Sequence, residues 1–298
     1  MKQYTYFPGC SSNSSAKALG MSVKAIEKPL DIELIELEDW TCCGSTPYGS
    51  LNEDESLLVA ARNLALAEKK GLDLVTPCSS CFVVLNKANL HLKEHEKFKS
   101  KVNQALAAAG LEFQGKINVR LLPEVIFHDI TPEGLARKVT RNLNGLKVAS
   151  YYGCQMVRPY GFDNPESPTS LDKIVESIGG TAVPFQYKNR CCGGSLIIPE
   201  ENAALNLMRK ILANTLENGA ECLITPCPLC QMNLDAYRIK VNGKFGTNFD
   251  IPVLFVSQLI GLALGIDAMS LGLKTNIVSP AKVIEKVNSA KVTVQSNP

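Results

Sequence analysis

At 298 residues, 45% hydrophobic and 20% charged, the chain has the balance of a soluble globular protein with room for two domains. Lysine plus arginine (31) nearly cancels aspartate plus glutamate (29), and no basic run or stripe offers nucleic acid a footing. Met1-Lys2-Gln3-Tyr4 begins a strand-like segment instead of a leader's apolar region, so eleven cysteines point to metal or redox chemistry in a reducing cytoplasm, not to structural disulfides.

Residues 4–7 are short, aromatic and β-prone, and lead into Pro8-Gly9-Cys10. Residues 32–37 alternate apolar with acidic side chains, as a partly exposed strand does, and lead to Cys42-Cys43. A helix follows with Leu57, Leu58, Ala61, Leu64 and Ala65 on one face. Glu53-Asp54-Glu55 stands at its start and Lys69-Lys70-Gly71 at its end, as the helix dipole prefers. Residues 72–75 lead to Pro77-Cys78, and another helix is expected after Cys81. A helical-looking segment, 132–143, closes a first module spanning 1–144, and Leu146 opens the second, 145–298.

In that second module, residues 148–152 precede Cys154, and a loop over 159–168 holds three prolines. Residues 182–185 lie upstream of Cys191-Cys192. Ala204, Met208, Ile211, Leu212 and Thr215 give a second amphipathic helix, and 223–224 precede Pro226-Cys227. The uncharged stretch 251–266 falls short of the roughly 20 residues a membrane span needs, and reads as a buried strand followed by a core helix. From about Lys274 a polar, lysine-bearing tail is expected to be loosely held. Alternating strands and helices argue for an α/β fold with parallel sheets. In such sheets sites gather beyond the carboxyl ends of the strands. The cysteines are therefore expected at one edge of each module, some at helix N-termini, where amide groups favour thiolate.

Ten cysteines form two copies of one pattern. The first copy is Cys10, the pair Cys42-Cys43, and Cys78 with Cys81 in a C-x-x-C; the second is Cys154, Cys191-Cys192, and Cys227 with Cys230. Thr41-Cys42-Cys43-Gly44 recurs as Arg190-Cys191-Cys192-Gly193, and Thr76-Pro77-Cys78 as Thr225-Pro226-Cys227. The chain is thus a duplicated metal-binding module. A structural zinc takes four tetrahedral ligands, whereas each set here offers five. Adjacent side chains on extended backbone point to opposite faces, so Cys42 and Cys43 suit a larger object than one ion. Iron–sulfur clusters are such objects. Zinc in one site and disulfides stand as the alternatives.

The double C…CCG…C-x-x-C arrangement, with Phe7-Pro8-Gly9-Cys10 and the two Thr-Pro-Cys-x-x-Cys segments, resembles the CCG domains in the B subunit of heterodisulfide reductase from residue 1 to about residue 270. The resemblance implies two duplicated Rossmann-like CCG modules carrying two noncubane [4Fe–4S] clusters. Cys10, Cys42, Cys43, Cys78 and Cys81 would hold one, and Cys154, Cys191, Cys192, Cys227 and Cys230 the other. It implies an oxidoreductase that cleaves a small-molecule disulfide, in the family the mixed disulfide of coenzyme M and coenzyme B, to two thiols by one-electron steps. The chain has no G-x-G-x-x-G or P-loop, so no nucleotide or flavin site is evident. By the same resemblance, electrons arrive from a ferredoxin-like iron–sulfur C subunit, itself fed by a flavin-containing A subunit. The alternative is a non-catalytic electron-transfer subunit, as in related lactate or glycolate oxidoreductases.

One departure bears on the substrate. The family commonly carries histidine after the first cysteine of the second motif, where this chain has Gln155. An amide donates a hydrogen bond but is no acid near neutral pH. Gln155 and the nearby basic Arg158 are the candidate substrate residues, with Arg190, Lys188 and Lys210 as further cations for an anionic ligand. His91-Leu92-Lys93-Glu94-His95 matches the H-x-x-E-H metalloprotease word, yet its lysine-rich surroundings read as a solvated helix face, and His128 reads as packing. Cys222, outside the repeat, reads as a buried structural thiol. Trp40, two residues before Cys42, either shields a cluster or packs in the core.

Overall fold

The computed structural model describes residues 1–45, 49 and 51–289. In the first module β1 (Lys2–Tyr6) runs through α1 (Lys17–Glu27) to β2 (Ile32–Glu36), then through α2 (Glu53–Glu68) to β3 (Leu74–Thr76). Helices α3 (Ser79–Glu94) and α4 (Glu96–Ala107) lead on to β4 (Val119–Leu121) and α5 (Leu122–Val125). After α6 (Pro132–Ala136) the second module repeats the plan with β5 (Lys147–Ser150), α7 (Ser170–Ser177), β6 (Thr181–Ala182), α8 (Glu201–Glu217) and β7 (Cys222–Thr225). It closes with α9 (Pro228–Asp235), α10 (Arg238–Phe245), β8 (Val253–Phe255), α11 (Val256–Ala263) and α12 (Ala281–Ser289).

The sheets have matching orders, β2-β1-β3-β4 and β6-β5-β7-β8, and every pairing is parallel. All strands of a sheet therefore end at one edge, which puts everything that follows them in sequence on the same side. The fold is the duplicated, Rossmann-like α/β arrangement expected. Edge strand β2 alternates buried and part-exposed residues as its acidic spacing requires. Helix α2 starts where the Asn52 side chain accepts the Glu55 N–H at 3.3 Å, and buries Leu57, Ala61, Leu64 and Ala65. Helix α8 likewise buries Ala204, Met208, Ile211, Leu212 and Thr215.

The two modules share one core. Helix α11 is buried along its whole length, as expected for 251–266, and packs on α1 of the other module, where the Ser22 and Ser257 hydroxyls meet at 2.7 Å. Side chains such as Leu259 and Ile260 each contribute about 1.5–3 kcal/mol on full burial. A smaller core lies within the second module, around Leu205, Met208, Leu223 and Val253.

Two expectations need correction. The helix begun at Pro132 stops at Ala136, well short of 143, because the N–H groups of Thr140 and Arg141 turn to the Ala263 carbonyl at the end of α11 (3.0 and 2.9 Å). Nor is the segment after Lys274 loose as far as it is described. The Asp235 carboxylate accepts the N–H groups of Ile277 and Val278 at 2.7 and 3.1 Å, and α12 sets Val283 and Val287 into the core. The tail's last residues, 290–298, lie outside the described residues.

Candidate functional site

Each repeated cysteine sits past the carboxyl end of a strand, on the edge the parallel topology creates. Cys10 opens a short 3-10 turn after β1, and Cys42-Cys43 follow β2. Cys78 is the N-cap residue of α3 with extended backbone (φ −102°, ψ 119°), and Cys227 holds the same place on α9 (φ −98°, ψ 122°). The repeated Thr-Pro-Cys word has a local cause: Thr76 Oγ1 accepts the Cys78 N–H, and Thr225 Oγ1 the Cys227 N–H, each at 3.4 Å. The intervening proline has no N–H to compete.

All eleven cysteines are free thiols. In the first module Cys42 contacts Cys43, Cys43 contacts Cys81, and Cys81 contacts Cys78, with Cys10 in the electrostatic field of Cys42. In the second the run is Cys154, Cys191, Cys192, Cys230 and Cys227, with 3.4 Å between the Cys192 and Cys230 sulfurs. Cys78 and Cys227 also touch, so the two runs join across the seam between the modules. Among the described residues no three metal-binding side chains converge on one point that a single ion would take. The donors form an extended all-sulfur surface.

Hydrogen bonding divides these thiols. Cys43 is pushed well down by the bond from Cys42 and then that from Cys81. Cys191 is pushed down by Cys154 and then Cys192, and Cys227 by Cys230 and then Cys78. Their six donors, Cys42, Cys81, Cys154, Cys192, Cys78 and Cys230, are pushed up, each chiefly because it gives its hydrogen to a neighbouring sulfur. Peptide N–H groups assist, with Gly193 N donating to Cys191 Sγ at 3.3 Å.

The backbone leaves room for a group held by these sulfurs. Gly9 has φ +73°, and a Cβ there would stand 3.0 Å from Cys81 Sγ; at Gly153 (φ +67°) it would stand 3.4 Å from Cys230 Sγ. A side chain at Gly9 would press on the Cys81 sulfur, while one at Gly153 would come only into ordinary contact with Cys230. Soft, purely thiol donors around a space kept open by glycine fit a thiolate-bound cofactor.

The candidate substrate residues divide. Gln155 lies at the seam, where its Oε1 accepts the Ser80 hydroxyl from the first module at 2.5 Å, and Ser80 Oγ stands 4.0 Å from Cys227 Sγ. Arg158 is held in an exposed ion pair with Glu166 at 2.6 Å. Lys188 pairs with Asp172 at 2.9 Å and lies over the Tyr152 ring, while Arg190 and Lys210 are exposed. Trp40 is half-buried, its ring edge-on to Phe7 at 5.3 Å, between the strand ends that deliver Cys10 and Cys42. His91 and His95 lie against each other with tilted rings, centroids 4.3 Å apart, at the solvent-facing end of α3, and His128 packs against Phe127 and Phe162. Cys222 is fully buried on β7, and burial pushes its thiol up. Ser80, Asn63 and Asn233 were not singled out by the sequence. Asn63 and Asn233 hold the two Cys-Cys pairs, and because they occupy non-equivalent places in the repeat, no internal echo marks them.

No helix among the described residues is long and apolar enough to cross a membrane. A cysteine-rich CCG domain matches residues 4–86 and again 148–235. The chain is 38% identical, over 95% of its length and 99% of the relative's, to the 8-methylmenaquinol:fumarate reductase membrane anchor subunit of Wolinella succinogenes. It is 32% identical, over 96% of its length and 97% of the relative's, to the B subunit of the Ferredoxin/F(420)H(2)-dependent CoB-CoM heterodisulfide reductase of Methanosarcina acetivorans. A hypothetical protein from Helicobacter pylori shares the fold, with a TM-score of 0.78 over 93% of this chain at 20% identity; this chain spans 52% of that one. Both matched domains coincide with a cysteine set, and the chain belongs to the cysteine-rich CCG family, in the group of the heterodisulfide reductase B subunits.

Proposed function

We propose that this chain is the iron–sulfur subunit of a heterodisulfide-reductase-type oxidoreductase that reduces a small-molecule disulfide to two thiols. Cys10, Cys42, Cys43, Cys78 and Cys81 hold one noncubane [4Fe–4S] cluster, and Cys154, Cys191, Cys192, Cys227 and Cys230 hold the other. The observation that carries this is the contact of Cys78 with Cys227, which joins two five-thiol sets at one seam. A cluster of this kind supplies one electron at a time, and cleaving a disulfide takes two. The chain's own residues bind and orient at the seam. With its oxygen engaged by Ser80, the Gln155 amide has its N–H groups left to donate to a departing sulfur, without supplying a proton. Arg158 would serve an anionic substrate only by leaving Glu166, an exposed pair worth about 0–1 kcal/mol. The partners on this reading are a ferredoxin-like C subunit and a flavin-containing A subunit, in the cytoplasm.

Anaerobic purification with iron and sulfide analysis tests the ligand assignment. Addition of coenzyme M–coenzyme B disulfide to the reduced protein should then give a new paramagnetic signal at a cluster. Full iron loading with no disulfide able to elicit such a signal would sink the catalytic reading.

A second reading has its own support. The Wolinella relative is named as the membrane anchor subunit of a fumarate reductase, and lactate utilization protein A 1 of Bacillus mycoides is 25% identical over 85% of this chain. Together with the absence of an acid at position 155, these favour a subunit that relays electrons without catalysing. A relay gives no disulfide-induced signal but is oxidised by its partner protein.

A further inference from the structure

Each Cys-Cys pair is held by one asparagine, and the two asparagines come from different helices. In the first module Asn63, buried on α2, accepts the Thr41 N–H at 2.9 Å and donates to the carbonyls of Thr41 and Cys42 at 3.1 and 3.4 Å. Every one of these bonds goes to backbone. In the second module Asn233, buried on α9, donates through Nδ2 to the Cys192 carbonyl at 3.2 Å and reaches Cys192 Sγ at 3.9 Å. That carbonyl only accepts, which fixes the nitrogen toward the cysteine.

The exchange is reciprocal in the repeat. Asn63 stands as far after Cys43 as Leu212 after Cys192, and Asn233 as far after Cys230 as Val84 after Cys81. Neither hydrophobic side chain has an N–H to give. Peptide N–H groups reach both pairs, from Gly44, Ser45 and Cys43 itself in the first and from Gly193 and Gly194, both to Cys191, in the second. Among the described residues, the Asn233 N–H at Cys192 is the one side-chain N–H directed at a sulfur of either Cys-Cys pair.

We infer that Asn233 is a positioning residue that makes the two centres unequal, giving the second-module centre the higher reduction potential, so that an entering electron settles there first. This rests on the iron–sulfur reading of the ten cysteines. The physical reason is that an N–H directed at a ligand sulfur stabilises the more negative, reduced state of the metal centre. The Asn233 oxygen is buried without a hydrogen-bond partner. An apolar replacement therefore removes an unsatisfied acceptor along with the donor, which offsets part of the loss of the bond to the Cys192 carbonyl.

The test is a potentiometric titration, followed by electron paramagnetic resonance, of the anaerobically purified full chain. The unsubstituted protein should show two separate midpoints. Asn233→Leu should lower the higher one and leave the other, shifting the electron's distribution between centres about tenfold, or about 59 mV for one electron. Val84→Asn, at a half-buried position of the first module, should raise the lower midpoint and keeps the test alive if Asn233→Leu does not fold. Variants that keep their iron with both midpoints unmoved, or moved together, overturn the inference and leave the iron–sulfur reading standing. Unsubstituted protein without iron overturns both.

Discussion

Replacing Gly9 by alanine probes the cradle in front of the first thiol set. At φ +73° and ψ 156° the backbone lies in a region essentially reserved for glycine, which costs alanine about 1–3 kcal/mol. The new methyl would also stand 3.0 Å from Cys81 Sγ, inside the roughly 3.5–4.0 Å of a relaxed carbon contact. Cys81 is 5% exposed and has little room to withdraw, so the overpacking adds about 1–3 kcal/mol. Gly71 supplies a control without the contact: its φ is +68° and nothing lies within 4 Å of a Cβ there, so Gly71→Ala carries only the cost of a positive φ. Gly153→Ala, with its contact at an ordinary 3.4 Å, should resemble the control. Each kcal/mol lowers Tm by about 2–4 °C in a chain of this size class. Gly9→Ala should therefore melt several degrees below Gly71→Ala, and it alone should lose about half the iron, because Cys81 is displaced from its set. Melting curves and iron analysis of anaerobically prepared variants decide it. Equal melting points with full iron in Gly9→Ala would refute the idea that Gly9 keeps the thiol cradle open.

Asp129 accepts Arg120 through both oxygens at 2.8 and 2.9 Å and the Tyr4 hydroxyl at 2.6 Å, and Arg120 chiefly holds its carboxyl below the usual range. Because the folded value is the depressed one, its stabilisation is full above about pH 4 and is lost as pH falls through the lower folded value. Urea midpoints measured from pH 6 to pH 3 should fall less steeply in Asp129→Asn. Asp235→Ala strands buried Arg238, 2% exposed, and frees Ile277 and Val278, so it should cost about 3–5 kcal/mol in urea unfolding and expose residues 276–289 to protease. Gln155→His puts a group titrating near pH 6.5 beside Ser80. On the catalytic reading it should raise disulfide turnover by about 100-fold or more with a new pH dependence, and on the relay reading change neither.

The ligand positions were legible because duplication wrote them twice, whereas of the two helices that begin at a Thr-Pro-Cys word only the one after Cys81 was expected. Strand β4 was not. Val119-Arg120-Leu121 is too short to show a period, and what makes it a strand is its pairing with β3, from Leu74 with Val119 to Thr76 with Leu121. The end of α6 was hidden for a similar reason, since the acceptor that diverts Thr140 and Arg141 is Ala263, on a helix of the other module. The docked tail depends on one carboxylate, Asp235, that composition averages away. Contacts made once, between distant segments, leave no trace in local pattern.

The same logic separates what duplication preserved from what it released. Ligand cysteines and the glycines before Cys10 and Cys154 recur because a second copy of the group needs the same sulfurs and the same open space. Positions that touch the seam without ligating do not recur. Ser80 meets Gln155 there, whereas the repeat puts Leu229 and Ser11 at the matching positions. Leu229 has no polar group and Ser11 only a hydroxyl, so the side-chain amide that Gln155 brings to the seam has no counterpart in the repeat. A disulfide made of two different thiols has two unlike sulfurs, and identical ends would bind it equally well in either direction. On the proposed reading, the unrepeated Ser80–Gln155 contact favours one orientation, and Asn233, where the repeat has Val84, gives the electrons a matching order. A relay needs only the second of these differences, so a seam that is asymmetric where substrate would lie weighs toward catalysis.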